Sequence, residues 1–291
     1  MLRRTAASTL LLALLVIGCN STPGSSPAND PASPAEPEAP FPPPTSWSLV
    51  WADEFDGTGL PDTDRWRYDV GGHGWGNNEL QYYTEQRPEN ARVEDGHLVI
   101  TARQESWEGN AYTSARLVSE ADWTYGRFEA RAQLPSGRGT WPAVWMLPTY
   151  DTYGADYWPD NGEIDIMEHV GYAPDTVHAT VHTEAYNHMR GTQRGEAMHV
   201  PSARSAFNVY AVEWTPDSIR GFVNDRPYFT FPNERRTVAG ADWREWPFDR
   251  PFHFVLNIAV GGSWGGAEGI DPSIWPQELR IDYVRVYQPE E

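Results

Sequence analysis

The run Asn161-Gly162-Glu163-Ile164-Asp165-Ile166-Met167-Glu168-His169-Val170 decides how this chain is read. Its apolar residues read as a buried strand, yet three acids interrupt them. Core strands seldom carry unpaired acids, because moving a charge out of water is costly. Strict alternation puts residues 163, 165 and 167 on one face and leaves Glu168 on the other. A β-bulge between Asp165 and Glu168 inserts one residue and returns Glu168 to the shared face.

With that bulge the two Glu backbones stand roughly 13 Å apart, at about 3.3 Å per residue. Long side chains leaning together on a concave sheet can close the gap to the ~5–5.5 Å that a retaining glycosidase uses. In that chemistry one carboxylate attacks the sugar carbon and the other protonates the leaving oxygen, so the two need different protonation states at one pH. An Asp between them can hydrogen-bond the attacking group and hold the shared charge in place. On these residues alone, a divalent-metal cluster and a solvated acidic edge stay open as alternatives. A Ca²⁺ site fits less naturally, since loop carbonyls usually supply many of its ligands.

On either side of this run, strand signals dominate and helical periodicity is nearly absent. His97–Ala102, Gly126–Ala132, Thr176–His182, Phe207–Trp214, Phe252–Asn257 and Leu279–Tyr287 are β-branched or aromatic-rich runs broken by Gly, Pro, Asn and Asp. The expected fold is all-β, with two packed antiparallel sheets. The last run is apolar on both faces, which predicts a strand inside a sheet. Residues 46–291 form one body of this kind, and all 14 Trp lie in it.

The N-terminal residues read as an address. Residues 1–18 carry Arg3 and Arg4, then an apolar stretch from Ala6 to Ile17. This stretch falls short of the about 20 residues that a membrane span needs and has the layout of an export signal. Val16-Ile17-Gly18-Cys19 resembles the bacterial lipoprotein box, which implies lipidation of Cys19. With Asn20 following, the resemblance points to the outer membrane. Residues 19–45 are rich in Pro, Ser and Ala, and are expected to form a disordered tether.

Composition excludes some functions. The net charge is −19, and every one of the 22 basic residues is Arg. Such a chain repels phosphate backbones, so no nucleic-acid partner is expected. A single Cys allows neither an intrachain disulfide nor a Cys-based zinc site. The acidic, Lys-free surface suits salty surroundings, although codon bias toward Arg gives the same composition.

Glu-Ile-Asp-Ile-Met-Glu resembles the active-site signature of glycoside hydrolase family 16 in its bulged form. The likeness extends to Trp51-Ala52-Asp53-Glu54-Phe55-Asp56-Gly57, Gly74-Trp75-Gly76-Asn77-Asn78-Glu79-Leu80-Gln81-Tyr82-Tyr83, Gly139–Pro148, Leu256–Trp264 and Ile281–Tyr287. The resemblance implies a concanavalin A-like jelly-roll β-sandwich with a cleft across its concave sheet. It implies Glu163 as nucleophile, Glu168 as general acid/base and Asp165 as the assisting carboxylate. The substrate implied is a β-1,3-glucan, as in laminarinases; mixed-linkage glucan, a red-algal galactan and a non-catalytic glucan-binding module are the alternatives.

Indole rings suit the apolar faces of sugars, and Asn, Arg and His suit their hydroxyls. Trp141 and Trp145 share a strand face, and the resemblance places them at sugar subsites. Trp264, after a Gly-rich loop, is expected near the cleft. Asn77 and Arg116 resemble substrate-contacting positions, with Arg116 alternatively a structural partner for an acid. His182 is expected beside Glu168, against the sugar. Trp66, Trp214 and Trp275 are expected in the core. No cofactor is expected for the chemistry. Glu54, the carbonyl of Gly96 and Asp282 match a structural Ca²⁺ site of the family. A monomer is expected.

Overall fold

The computed structural model describes residues 46–290. The export signal, Cys19 and the tether lie outside the described residues. In chain order the strands are β1 (Trp47–Asp53), β2 (Trp66–Tyr68), β3 (Gln81–Tyr83), β4 (Ala91–Glu94), β5 (His97–Trp107), β6 (Asn110–Ser114), β7 (Arg116–Ser119), β8 (Gly126–Gln133) and β9 (Thr140–Pro148). A short helix, α1 (Tyr157–Asp160), leads into β10 (Glu163–His169), β11 (Thr176–His182), β12 (Arg194–His199), β13 (Asn208–Trp214), β14 (Ser218–Val223) and β15 (Arg226–Pro232). A second short helix, α2 (Glu234–Thr237), precedes β16 (Phe252–Val260) and β17 (Gln277–Pro289).

These strands form the expected two sheets. One has ten strands, with the path β15-β14-β13-β8-β17-β5-β6-β3 and with β1 and β4 pairing β17 and β5. The other has seven, in the order β12-β11-β10-β9-β16-β7-β2. Terminal strand β17 lies between β8 and β5, inside its sheet as expected. Nearly every pairing is antiparallel; β3 with β6 is the parallel one among the described strands.

The core lies between the sheets. Trp66, Trp214, Phe128, Phe252 and Phe254 are fully buried there, and Trp275 packs partly buried against them. Alternation on β9 sorts its two faces. Val144 and Met146 are fully buried, while Trp141, Trp145 and Leu147 turn outward and line a cleft. The cleft therefore lies on the outer face of the seven-stranded sheet.

The bulge sits where the sequence requires it. Asp165 pairs with Thr180 and Glu168 with His178, so Ile166 and Met167 face one residue of β11. Against β9 the register also shifts between Asp165 and Met167. Ile166 and Met167 are both fully buried in the core. A regular strand would turn Met167 to water, forfeiting about 1.5–3 kcal/mol of burial. It would also drive the Glu168 carboxylate into the core at a cost of several kcal/mol. Both terms favour the bulge.

Candidate active site

Each element of the site is fixed locally. Asn161 pins the loop before β10: its Oδ1 accepts the backbone N–H groups of Thr152 and Tyr153 at 2.7 and 2.6 Å, and its Nδ2 donates to Asp151. Gly162 follows at φ +89°, and a Cβ there would meet Phe248 at 2.8 Å. Glycine is what lets the chain turn into β10 against that ring.

Glu163, Asp165 and Glu168 all line the cleft, which encloses about 350 Å³. Asp165 is 2% exposed and its Oδ2 has no hydrogen-bond partner among the described residues. His182 Nε2 lies 3.3 Å from that oxygen and 3.7 Å from Glu163 Oε1, close enough for charge interaction but outside hydrogen-bond geometry. The indole N–H of Trp141 donates to Glu168 Oε1 at 3.0 Å.

Crowding three carboxyls in a buried place raises the pKa of each. Glu163 is pushed well above the ordinary range by burial first and by the charge of Asp165 second, with His182 acting the other way. Asp165 is raised by burial and then by Glu168. Glu168 is raised by burial, against the opposing pulls of His182 and the Trp141 hydrogen bond. The cluster titrates as a unit, so protonated and ionised carboxyls stand side by side.

The structure brings several of the expected substrate-binding residues into one wall of the cleft. Trp141 and Trp145 line the cleft together, with Asn77. Arg116 lies in the cleft and also pairs with an acid. It lines the cleft, its guanidinium lies between the rings of Trp75 and Trp145 at 4.7 and 4.8 Å, and its Nε is 2.9 Å from Asp69 Oδ2. Trp264 stands edge-on to Trp141 at 5.5 Å and to His178 at 5.0 Å.

His182 lies near enough to Glu168 for its charge to act on that carboxyl, while its strand pairing is with Glu163; beyond the bulge, His178 takes the place opposite Glu168. His182 is buried and borders the carboxylates instead of the open cleft.

Several cleft residues had no role in the sequence reading. Glu79 and Trp75 stand in a quoted motif but were given none. Asn257 is, with His253, one of two polar residues in the otherwise apolar Phe252–Val260 strand, a signal that could have found it. Tyr157 and Trp158 come from the short helix α1 and His188 from the connection between β11 and β12, whose paths the sequence does not dictate.

At the expected calcium site, the Asp95-Gly96 turn is carried to Asp282 by His97, whose Nε2 is 3.7 Å from Asp282 Oδ1. Glu54 follows β1, whose Asp53 pairs with Val284. Two carboxylates and a carbonyl form a hard-oxygen donor set that fits Ca²⁺. In the structure Arg285 holds Glu54 through two bonds of 2.8 and 2.9 Å, and Arg131 donates to Asp282 at 2.5 Å. A bound ion would displace these arginines.

The profile of the glycosyl hydrolases family 16 matches residues 78–285, spanning the bulged strand and both Trp of the wall. The chain belongs to glycoside hydrolase family 16. Its relatives include a beta-glucanase of Rhodothermus marinus, 67% identical over 244 residues, which covers 83% of this chain and 85% of that protein. A glucan endo-1,3-beta-glucosidase of Cryptopygus antarcticus is 42% identical, covering 82% of this chain and 92% of its own length. The crystal structure of the laminarinase from Rhodothermus marinus superposes with a TM-score of 0.84 at 66% identity, over 84% of this chain and 99% of that one. The jelly roll of this family 16 chain is therefore shown by sequence and by fold.

Proposed function

We propose that this chain is a retaining endo-β-1,3-glucanase. The observation that carries the reading is the bulged strand, which sets Glu163 and Glu168 on one cleft floor with Asp165 between them. The glucan-cleaving names of its relatives supply the substrate class.

In the proposed mechanism Glu168, whose protonated form is favoured by burial, gives its proton to the glycosidic oxygen as that bond breaks. Glu163 attacks the sugar carbon and forms a glycosyl-enzyme ester. Asp165 takes up the proton that Glu163 shares with it, which leaves Glu163 free as a carboxylate at the moment of attack. Glu168, now ionised, accepts a proton from water, and the resulting hydroxide equivalent cleaves the ester with net retention. The cation-like transition state is met by the Glu163 carboxylate and the developing Glu168 carboxylate in a low-dielectric wall, where each charge acts more strongly than in water.

Reducing-end release from laminarin, lichenan and agarose tests the substrate. Fast cleavage of laminarin supports the reading; preference for lichenan points to mixed-linkage glucan, and for agarose to a galactan. Binding of laminarin without any cleavage would favour a glucan-binding module. A second reading has one observation behind it: ligand atoms of Glu163, Asp165 and His182 lie within 4.8 Å of one another, a spacing that could hold a metal. Loss of laminarin cleavage after chelation, with recovery on adding back a divalent ion, would favour that reading.

The remaining expectations join this proposal. Cys19 carries the lipid that anchors the protein to the bacterial outer membrane, and the mass of the N-terminal peptide tests it. Glu54, the Gly96 carbonyl and Asp282 would hold a Ca²⁺ whose role is structural. The body acts as a monomer.

A further inference from the structure

We propose that Glu79 is a positioning residue that acts through Tyr83 and Asn257 to fix the ring of Trp145 in the cleft wall. The inference rests on the glucanase reading of that cleft. Four side chains form one hydrogen-bonded line. Trp145 Nε1 donates to Asn257 Oδ1 at 2.7 Å, Asn257 Nδ2 donates to Tyr83 Oη at 3.0 Å, and Tyr83 Oη donates to Glu79 Oε2 at 3.2 Å.

The direction of this line follows from chemistry. An indole N–H can only donate, so Asn257 must turn its amide oxygen to Trp145 and its NH₂ to Tyr83. The tyrosine oxygen thereby accepts, and its own proton must go onward. Tyr83 is fully buried and Asn257 is 5% exposed, so water is a poor recipient. An oxygen with free lone pairs has to end the line, and Glu79 supplies it. The same Oε2 accepts from Gln81 Nε2 at 2.6 Å, while Gln81 Oε1 accepts the backbone N–H of Val260 at 2.7 Å. The backbone N–H of Leu80 bonds to Val260 O at 2.9 Å. The terminus of the line is thus clamped to β16, the strand that carries Asn257. Without that acceptor, the Tyr83 proton is left unpaired in the core, or Asn257 flips and the Trp145 N–H loses its partner. Either change frees the Trp145 ring, which also packs against the Arg116 guanidinium.

The test uses the chain with Glu79→Gln, Glu79→Met, Tyr83→Phe, Trp145→Phe and the double variant Tyr83→Phe/Trp145→Phe, each assayed on laminari-oligosaccharides across pH. Wild-type cleavage of these sugars is established first, so failure of the glucanase reading shows there and not in the variants. Glu79→Met and Tyr83→Phe should each lower kcat/KM about tenfold, with both limbs of the pH profile unmoved. Glu79→Gln, whose amide oxygen can end the line, should recover most of the activity. In the Trp145→Phe background, Tyr83→Phe should cost nothing further. Full additivity in that background, a Glu79→Gln variant as impaired as Glu79→Met, or a shifted pH limb would each overturn the proposal. If Glu79→Met fails to fold, the Tyr83–Trp145 cycle decides alone.

Discussion

Trp141 and Glu168 are joined by a hydrogen bond of 3.0 Å from the indole N–H to the carboxylate, although they lie on neighbouring strands and 27 residues apart. One ring therefore lines the cleft and tunes the acid. Its donation favours the ionised form of Glu168, partly offsetting the burial that raises its pKa.

Trp141→Phe removes the donor and keeps most of the ring. Glu168 should then hold its proton to higher pH, so the basic limb of the kcat/KM profile moves upward. Overall kcat/KM should fall about tenfold, or ~1.4 kcal/mol, in the range of one hydrogen bond to a charged group. A pH–rate profile checks this, and an unmoved basic limb would contradict it.

Asp165 is costly to the fold. Its folded pKa is raised by burial first and by the charge of Glu168 second, so the folded form keeps a proton that the unfolded chain gives up. Its contribution is complete below the ordinary Asp pKa of about 3.9 and is lost as pH rises from there toward the raised value. Asp165→Asn should therefore melt higher than wild type at about pH 8 and level with it at about pH 3. The same variant should lose about a hundredfold in kcat, since the Glu163 proton no longer has a recipient. Calorimetry across pH, with parallel rates, separates the two effects.

Calcium should act on stability alone. Adding Ca²⁺ to chelator-treated protein should raise the melting temperature, with initial rates at moderate temperature changed less than about twofold. Asp282→Asn should abolish the thermal gain. An unchanged melting temperature would remove the ion from Glu54, Gly96 and Asp282 and leave their arginine pairs as the final arrangement.

The bulge was legible in the sequence because only one extra residue reconciles Glu168 with the face of Glu163 and Asp165, while Ile166 and Met167 both seek the core. Alternation likewise placed Trp141 and Trp145 on one face, and placed β17 inside its sheet. The partner of His182 was not legible, because register depends on where the bulge falls against β11, and the sequence of β11 does not record that. The line from Glu79 to Trp145 joins three separate segments, residues 79–83, β9 and β16, so no single local pattern reveals it; the polar Asn257 in a largely apolar strand was one visible trace. The edge-on packing of Trp264 on Trp141 depends on the loop path after Gly261 and Gly262, which the sequence does not record.

The most direct test is to trap the glycosyl-enzyme with a 2-fluoro-β-1,3-glucosyl fluoride and locate the label by peptide mass mapping. The account predicts one sugar per chain, esterified to Glu163. A label on Glu168 or Asp165, or steady turnover to the inverted anomer with no trapped ester, would contradict it.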